Sequence, residues 1–260
     1  MDLELGGKKV LITGASQGIG EGLAHAFAAE GCHLHLTARA ADKLDALRAE
    51  LSNGRKVEVS TTAVDMTLDG APERIVAEAG DVDILINNAG VIPSGTLFDV
   101  DARKWRDGWA LKGFGYPDMI RLVYPRMKAR GGGVVINNIG NGGEICDPNY
   151  VEGAAGNASL MAMTRALGGR SLDDGIRVVG VNPGPVDTSR IYAMLRKFAE
   201  NTLGDASRYP ELLEKYPLKR PAKIHEVTDL FLFLASFRSG YTSGTVFTVD
   251  GGIASRRSVV

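Results

Sequence analysis

Thr13-Gly14-Ala15-Ser16-Gln17-Gly18-Ile19-Gly20 sets three glycines directly after the apolar run Lys9–Thr13 and directly before a helical pattern. Glycines so placed permit a tight turn and let the backbone approach a phosphate closely, while uncapped N–H groups at the helix start attract its charge. Anion binding is the chemistry this loop can do. The stretch Gly131–Asn157 is a contrast: it contains no Ser, Thr or His, and its ionisable groups are Glu144, Cys146, Asp147, Tyr150 and Glu152. Glu144 and Glu152 would act as bases if buried, and as loop charges or helix-start acids if exposed. The four histidines, at 25, 33, 35 and 225, lie outside this stretch, so a His base is not expected there.

These residues need elements to hold them. Short apolar or β-branched runs at Lys9–Thr13, His33–Ala38, Val57–Val64, Val82–Asn87, Gly133–Asn138, Arg177–Asn182 and Val246–Asp250 alternate with stretches of helical periodicity. The periodic stretches are Gly20–Glu30, Asp42–Leu51, Ala71–Ala79, Ala102–Lys128, Tyr150–Ser171 and Glu226–Ala235. Such alternation predicts βαβ units: an α/β, Rossmann-type, doubly wound fold with a seven-stranded parallel sheet and helices on both faces. No repeat or linker divides the chain, so a single domain over residues 1–260 is expected. One irregular, charged insertion, Ser189–Pro221, follows the sixth strand with three Tyr, where it could cover a substrate at the carboxyl ends of the strands.

Composition narrows the function classes. The chain has 260 residues, 44% of them hydrophobic, enough for a substantial core. A formal net charge of -1 argues against nucleic-acid or membrane-surface binding and for a small-molecule partner. Cys32 and Cys146 have neither disulfide nor metal spacing and read as buried apolar residues, and no metal site is expected. Without a signal-like start or a spanning run, the expectation is a cytoplasmic protein.

Three motifs in combination carry a family resemblance. The glycine loop, Asn87-Asn88-Ala89-Gly90 after the fourth strand, and Asn182-Pro183-Gly184-Pro185-Val186-Asp187-Thr188 after the sixth resemble the short-chain dehydrogenase/reductase family over about Leu5–Ile253. The resemblance implies a nicotinamide dinucleotide held by Gly14, Ser16, Gln17, Gly18, Ile19 and Gly20. It further implies adenine contacts at Asp65 beside Met66, a lining from Asn87, Ala89 and Gly90, and carboxamide positioning by Pro183, Gly184 and Thr188. Asn87 has an alternative role, tying adjacent strands together. The second strand ends in Thr37-Ala38-Arg39 with no acid, and a guanidinium suits a 2′-phosphate, so NADP(H) is expected over NAD(H).

Family members carry Tyr-x-x-x-Lys on the helix after the fifth strand, a Ser near that strand's end and an Asn on the preceding helix. Anchoring on Asn157-Ala158-Ser159-Leu160 and Thr164-Arg165-Ala166-Leu167 puts Asn157 at the Lys position and Gly153 at the Tyr position. The Ser position falls on Gly140 or Asn141. The Asn position, bracketed by Trp105 and Pro125, falls on Lys112, so Lys and Asn stand exchanged between two adjacent helices. Tyr150 lies about one helical turn before Gly153, and Tyr116 lies one turn after Lys112, although Pro117 threatens that second pairing. The catalytic candidates are therefore Tyr150, Lys112, Asn141 and Asn157. The glycines at 140, 142, 143 and 153 leave a roomy pocket.

Three functions fit this reading. One is an oxidoreductase acting on a carbonyl or alcohol through Tyr150 and Lys112; another is an NADP(H)-binding pseudoenzyme, as a sensor or partner subunit; a third is non-redox chemistry such as elimination or hydration. The resemblance also implies a homodimer or homotetramer.

Overall fold

A computed structural model describes residues 2–54 and 56–256; Met1, Arg55 and residues 257–260 of the expected domain lie outside the described residues. In chain order the elements begin β1 (Lys9–Thr13), α1 (Gly18–Ala29), β2 (His33–Ala38), α2 (Ala41–Ser52), β3 (Val59–Ala63), α3 (Ala71–Ala79) and β4 (Ile84–Asn87). They continue with α4 (Ala102–Trp109), α5 (Gly115–Ala129), β5 (Gly133–Asn138), α6 (Gly142–Ile145), α7 (Val151–Gly168) and β6 (Ile176–Pro183). The last are α8 (Ser189–Leu203), α9 (Tyr209–Leu213), α10 (Ile224–Ala235) and β7 (Thr245–Val249).

The seven strands form one parallel sheet in the order β3-β2-β1-β4-β5-β6-β7. The order reverses direction between β1 and β4, and the crevice above that switch point is where an open α/β sheet binds ligands. Strand alternation sorts the core. Val10, Ile12, Leu34, Leu36, Ile84 and Ile86 pack with Leu23 and Phe27 of α1, Leu44 of α2 and Phe231 of α10. Their neighbours Leu11, Leu85 and Val135 face the other way, onto Ile75 of α3 and Met119 and Val123 of α5. This doubly wound arrangement is the one expected from the alternation of strand and helix patterns. No helix among the described residues is long and apolar enough to cross a membrane.

Three local expectations are corrected. The single helix expected over Ala102–Lys128 is broken by a π turn at Ala110–Phe114, where the N–H of Gly115 reaches back five residues to the carbonyl of Ala110. Such insertions gather at functional positions, and Lys112 lies inside this one. Pro117 does not break the chain's course, because it falls in the first turn of α5, where a missing N–H matters least. The first part of Ser189–Pro221 is not irregular: Ile191, Leu195 and Ala199 recur every four residues and bury one face of α8, Ser189–Leu203. Cys146 is exposed, not buried, because it ends α6 in a left-handed conformation, φ 53°; Cys32 is buried.

One buried cation fastens the last helix to the sheet. From β6, the Arg177 guanidinium donates to the carbonyls of Leu234, Ala235 (2.9 Å), Ser236 (2.9 Å) and Ser239 (3.3 Å). These are the orphan acceptors at and just beyond the carboxyl end of α10. Replacing Arg177 by Met should lower stability by about 3 kcal/mol, since each lost charged hydrogen bond leaves a buried carbonyl unpaired. Chemical denaturation of R177M measures this.

Candidate active site

The glycine loop is built for a close approach. Gly14 has φ +67°, and a Cβ there would stand 2.8 Å from Ala89 Cα; a Cβ at Gly20 would strike the carbonyl of Gly14. At Gly18 the conformation is again left-handed, φ +62°, and an added Cβ would lie 3.3 Å from Thr188 Cγ2, so the loop and the segment after β6 face each other. Gln17, the residue before α1, makes no side-chain cap, which leaves the first N–H groups of that helix for a ligand. Ser16, Gln17 and Gly18 share a cleft with Lys43, Thr188 and Ser189. These residues fit a dinucleotide phosphate. Ile19 instead packs against the core.

Asn88 determines where the loop sits. Its Nδ2 donates to the carbonyls of Thr13 (2.9 Å) and Gly14 (3.1 Å), and its Oδ1 accepts from Asn138 Nδ2 at 2.7 Å. The Thr13 hydroxyl accepts in turn from the N–H groups of Asn88 (2.9 Å) and Ala89 (3.0 Å). Asn87 is turned into the sheet, donating to Asn137 Oδ1 at 3.0 Å between β4 and β5. At the far end, Asp65 accepts from the N–H and hydroxyl of Thr67, which hold its carboxyl below the usual range, and Arg39 stands 3.8 Å away with its side chain largely exposed. Met66 is buried beneath. After β6, Gly184 donates to the carbonyl of Val249 at 3.0 Å, and the Pro183 carbonyl accepts from Asn141 N.

The catalytic candidates fall into two sets. Lys112 is 9% exposed; its Nζ donates to Asn157 Oδ1 at 3.0 Å and to the Ile139 carbonyl, while its stem lies against Gly90. Lys112 and Asn157, candidates from two different helices, are thus bonded to each other. The Nδ2 of Asn157 faces the space over Gly140 and Gly142, 3.3 Å from where either Cβ would be. Tyr150 precedes α7 with φ −143°, ψ 42°, and folds back so that a Cβ on Gly153 would fall within its ring. Its ring also passes 2.9 Å from a Cβ position on Gly142. By contrast, Asn141 is engaged elsewhere, donating to Asp250 Oδ2 at 3.1 Å. Tyr116 does not meet Lys112, since its hydroxyl donates to the Asn138 carbonyl at 2.8 Å.

Sequence reasoning missed three participants. Asn88 stands inside a motif that was read, but its neighbour Asn87 looked equally suited. Asn138, which holds Asn88, reads as a strand residue. Arg190, in the first turn of α8, donates to the carbonyls of Gly90 and Ile92, each at 3.4 Å, and its charge lowers the Tyr150 hydroxyl's pKa. Only its position two residues past Thr188 hinted at this.

Known proteins match this architecture along the chain. A family model described as enoyl-(acyl carrier protein) reductase matches residues 14–254. The oxidoreductase UcpA of Salmonella typhimurium is 34% identical over 263 residues, covering 98% of each chain. The chain belongs to the short-chain dehydrogenase/reductase family. Also similar are the glucose 1-dehydrogenase of Gluconobacter oxydans, 33% identical over 95% of this chain and 92% of its own, and a solved L-sorbose reductase from Gluconobacter frateurii. That structure, complexed with NADPH and L-sorbose, superposes with a TM-score of 0.90 at 32% identity, covering 99% of this chain and all of its own.

In this family member two groups are driven toward neutrality by burial. Desolvation, with Arg190 adding repulsion, lowers the Lys112 amine from its ordinary range to about 7. Desolvation alone raises the Glu152 carboxyl to about 7. Glu152 is fully buried on α7, both of its oxygens lack partners, and it presses on Gly108 of α4, near an equally unpartnered Trp109 Nε1. Tyr150 is raised by burial and by Glu152, and lowered by Arg190. Below pH 4.5 the Glu152 carboxyl is protonated in both folded and unfolded chains; between there and pH 7 only the folded chain holds the proton, so its contribution to stability falls as pH rises. Substituting Glu152→Gln should leave stability unchanged near pH 4 and raise it above pH 7, as urea titrations at both pH values would show.

Proposed function

We propose that this chain is an NADP(H)-dependent oxidoreductase that interconverts a carbonyl and an alcohol, with Tyr150 as acid–base group in the place its family gives to the residue at Gly153. The observation that carries the reading is the Tyr150 ring lying where a Gly153 side chain would begin. A phenol supplied from the helix cap thus enters the same space. Bound NADP(H) supplies or accepts the hydride. In the reducing direction the Tyr150 hydroxyl donates its proton to the carbonyl oxygen, and the Asn157 Nδ2 donates a second hydrogen bond in place of the absent hydroxyl. Arg190 offsets the burial that would otherwise keep Tyr150 from ionising in the reverse direction. Lys112, titrating near 7, is the proton store behind Asn157.

The loop of Gly14, Gly18 and Gly20 would hold the pyrophosphate, Asp65 the adenine, and Arg39 the 2′-phosphate. Arg39 makes only a long 3.8 Å ion pair with Asp65 and its side chain is largely exposed, so its guanidinium can take a phosphate, which supports NADP(H) over NAD(H). Over the other side of the pocket, α8 and α9 would cover the substrate. Their mutual packing, with Tyr192 edge-on to Tyr209 at 5.9 Å and Arg196 over Tyr209, makes them a unit that moves together, and the exposed Met194 and Phe198 offer it an apolar lining. Exposed Leu97, Phe98 and Phe114 support self-association into a homodimer or homotetramer.

Turnover tests the reading. Tyr150→Phe should cut kcat/KM for carbonyl reduction by roughly 10²- to 10⁴-fold with NADPH binding retained. NADPH binding without turnover of any carbonyl or alcohol by the unaltered protein would instead establish the pseudoenzyme, and product formed without change in nicotinamide absorbance would establish non-redox chemistry. Because Lys112 carries its proton only below about pH 7, kcat for reduction should fall as pH rises through 7 in the unaltered protein, and K112M should be slow with that limb flattened. Arg39→Leu should raise KM for NADPH by about tenfold and leave KM for NADH little changed, in line with the loss of one charged contact to phosphate.

A further inference from the structure

Arg190, exposed at the start of α8, has neutral hydrogen-bond partners alone, the carbonyl oxygens of Gly90 and Ile92 at 3.4 Å, and its charge acts on the Tyr150 hydroxyl. Among the described residues no Asp or Glu pairs with it. Both carbonyl contacts are long, so most of the five guanidinium N–H donors remain for another acceptor. The nearest other ionisable groups on the packed elements are Lys112, also a base, and Glu152, which points away against Gly108. Arg190 therefore gives the pocket a cation to which no described acid is paired, and the glycines at 140, 142 and 153 leave room before it.

We propose that Arg190 anchors a carboxylate of the substrate, and that the substrates are short 2-oxo or 3-oxo acids and the corresponding hydroxy acids. The inference rests on Tyr150 being the acid–base group. Arg190 stands near enough to the same hydroxyl that must touch the reacting oxygen for its charge to favour the ionised phenol, and its carbonyl partners at Gly90 and Ile92 lie just before Gly95, which pairs with Tyr150. A carboxylate forked on the guanidinium and a carbonyl oxygen on Tyr150 can then be separated by only one or two carbons. In the reducing direction the hydride of NADPH joins the carbonyl carbon and the Tyr150 proton joins its oxygen, giving a hydroxy acid and NADP⁺, while the carboxylate is unchanged. An anion at Arg190 could come from one other source, a phosphate of the dinucleotide, and the test separates the two.

The full-length protein, saturated with NADPH, is assayed with pyruvate and acetoacetate beside their methyl esters, and titrated calorimetrically with oxamate beside methyl oxamate. The unaltered protein should favour each acid over its ester by about tenfold or more in kcat/KM, and bind oxamate more tightly by a similar factor. R190M should erase both preferences with NADPH affinity within about twofold of the original, and R190K, which keeps the charge without the fork, should restore part of them. The proposal is overturned if acids and esters are handled alike. It is equally overturned if R190M weakens NADPH alone, which marks a phosphate contact, or slows acids and esters equally, which marks polarisation of the carbonyl. Should none of the four compounds be turned over, the role of Tyr150 fails, yet an oxamate preference lost in R190M still establishes the anchor, and its absence removes it.

Discussion

Parallel strands that end at one edge leave backbone groups without ladder partners, and the whole site hangs on how one side chain takes them up. Asn88 bonds the carbonyls of Thr13 and Gly14 with its amide and receives Asn138 on its oxygen, while its own N–H goes to the Thr13 hydroxyl. Three strands, β1, β4 and β5, are thereby locked at their carboxyl ends. An Asp here would present acceptors to two carbonyls, and an apolar residue would orphan them at a cost of about 1 to 3 kcal/mol each. The loop that approaches a phosphate and the strand end that carries Ile139 and Gly140 hold their relative position through this amide.

Below that edge the helices must house titratable groups without water. Lys112 solves this by giving its protons to the Ile139 carbonyl and Asn157, both uncharged acceptors, so the neutral amine is favoured above pH 7. Glu152 has no such partners and shifts in the opposite sense. An amine beside amide oxygens can lose or regain its proton near neutrality, whereas an amine beside a carboxylate would be held charged. The absence of an ion pair at Lys112 is what leaves its amine free to titrate near neutrality. The π turn serves the same end, because one residue more per turn changes the direction in which Lys112 leaves its helix.

Much of this was legible in the residues and some was not. The seven strands and the glycine loop were readable because their rules are local: period-two burial for one, tight backbone approach for the other. That Lys112 and Asn157 share one site was readable because landmarks on each helix fix its register. The helical nature of Ser189–Leu203 was hidden by its charge, although Ile191, Leu195 and Ala199 carry the period. Arg190 was not legible, because its reach depends on how α8 leaves Thr188, a tertiary matter. Cys146 misled for a related reason: it ends the short α6 on the surface, where its place depends on the loop and not on its hydrophobicity. The burial of Glu152 was left open between base and surface charge, and nothing in its neighbours decides between them.

The glycines that seem to strip the pocket are better understood as the condition for its phenol. Tyr150 lies before the first turn of α7, so its backbone is free of helical angles and its ring can swing back along the helix. It can do so only over residues without side chains, and both Gly153 and Gly142 lie under it, with a Cβ at the first falling inside the ring. A Tyr at 153 and a Tyr at 150 in this pose exclude one another on steric grounds alone. Glycine at 153 and the pose of Tyr150 are therefore a single structural choice, and a side chain on Gly142 would disturb the ring as well. Placing the phenol at the cap also sets it against the segment from Gly95, whose N–H and carbonyl bond the backbone at Asn149 and Val151. The Tyr150 phenol is thus fixed by the β4-to-α4 connection and answers to Arg190 of α8, where a phenol inside the helix would answer to its own helix first.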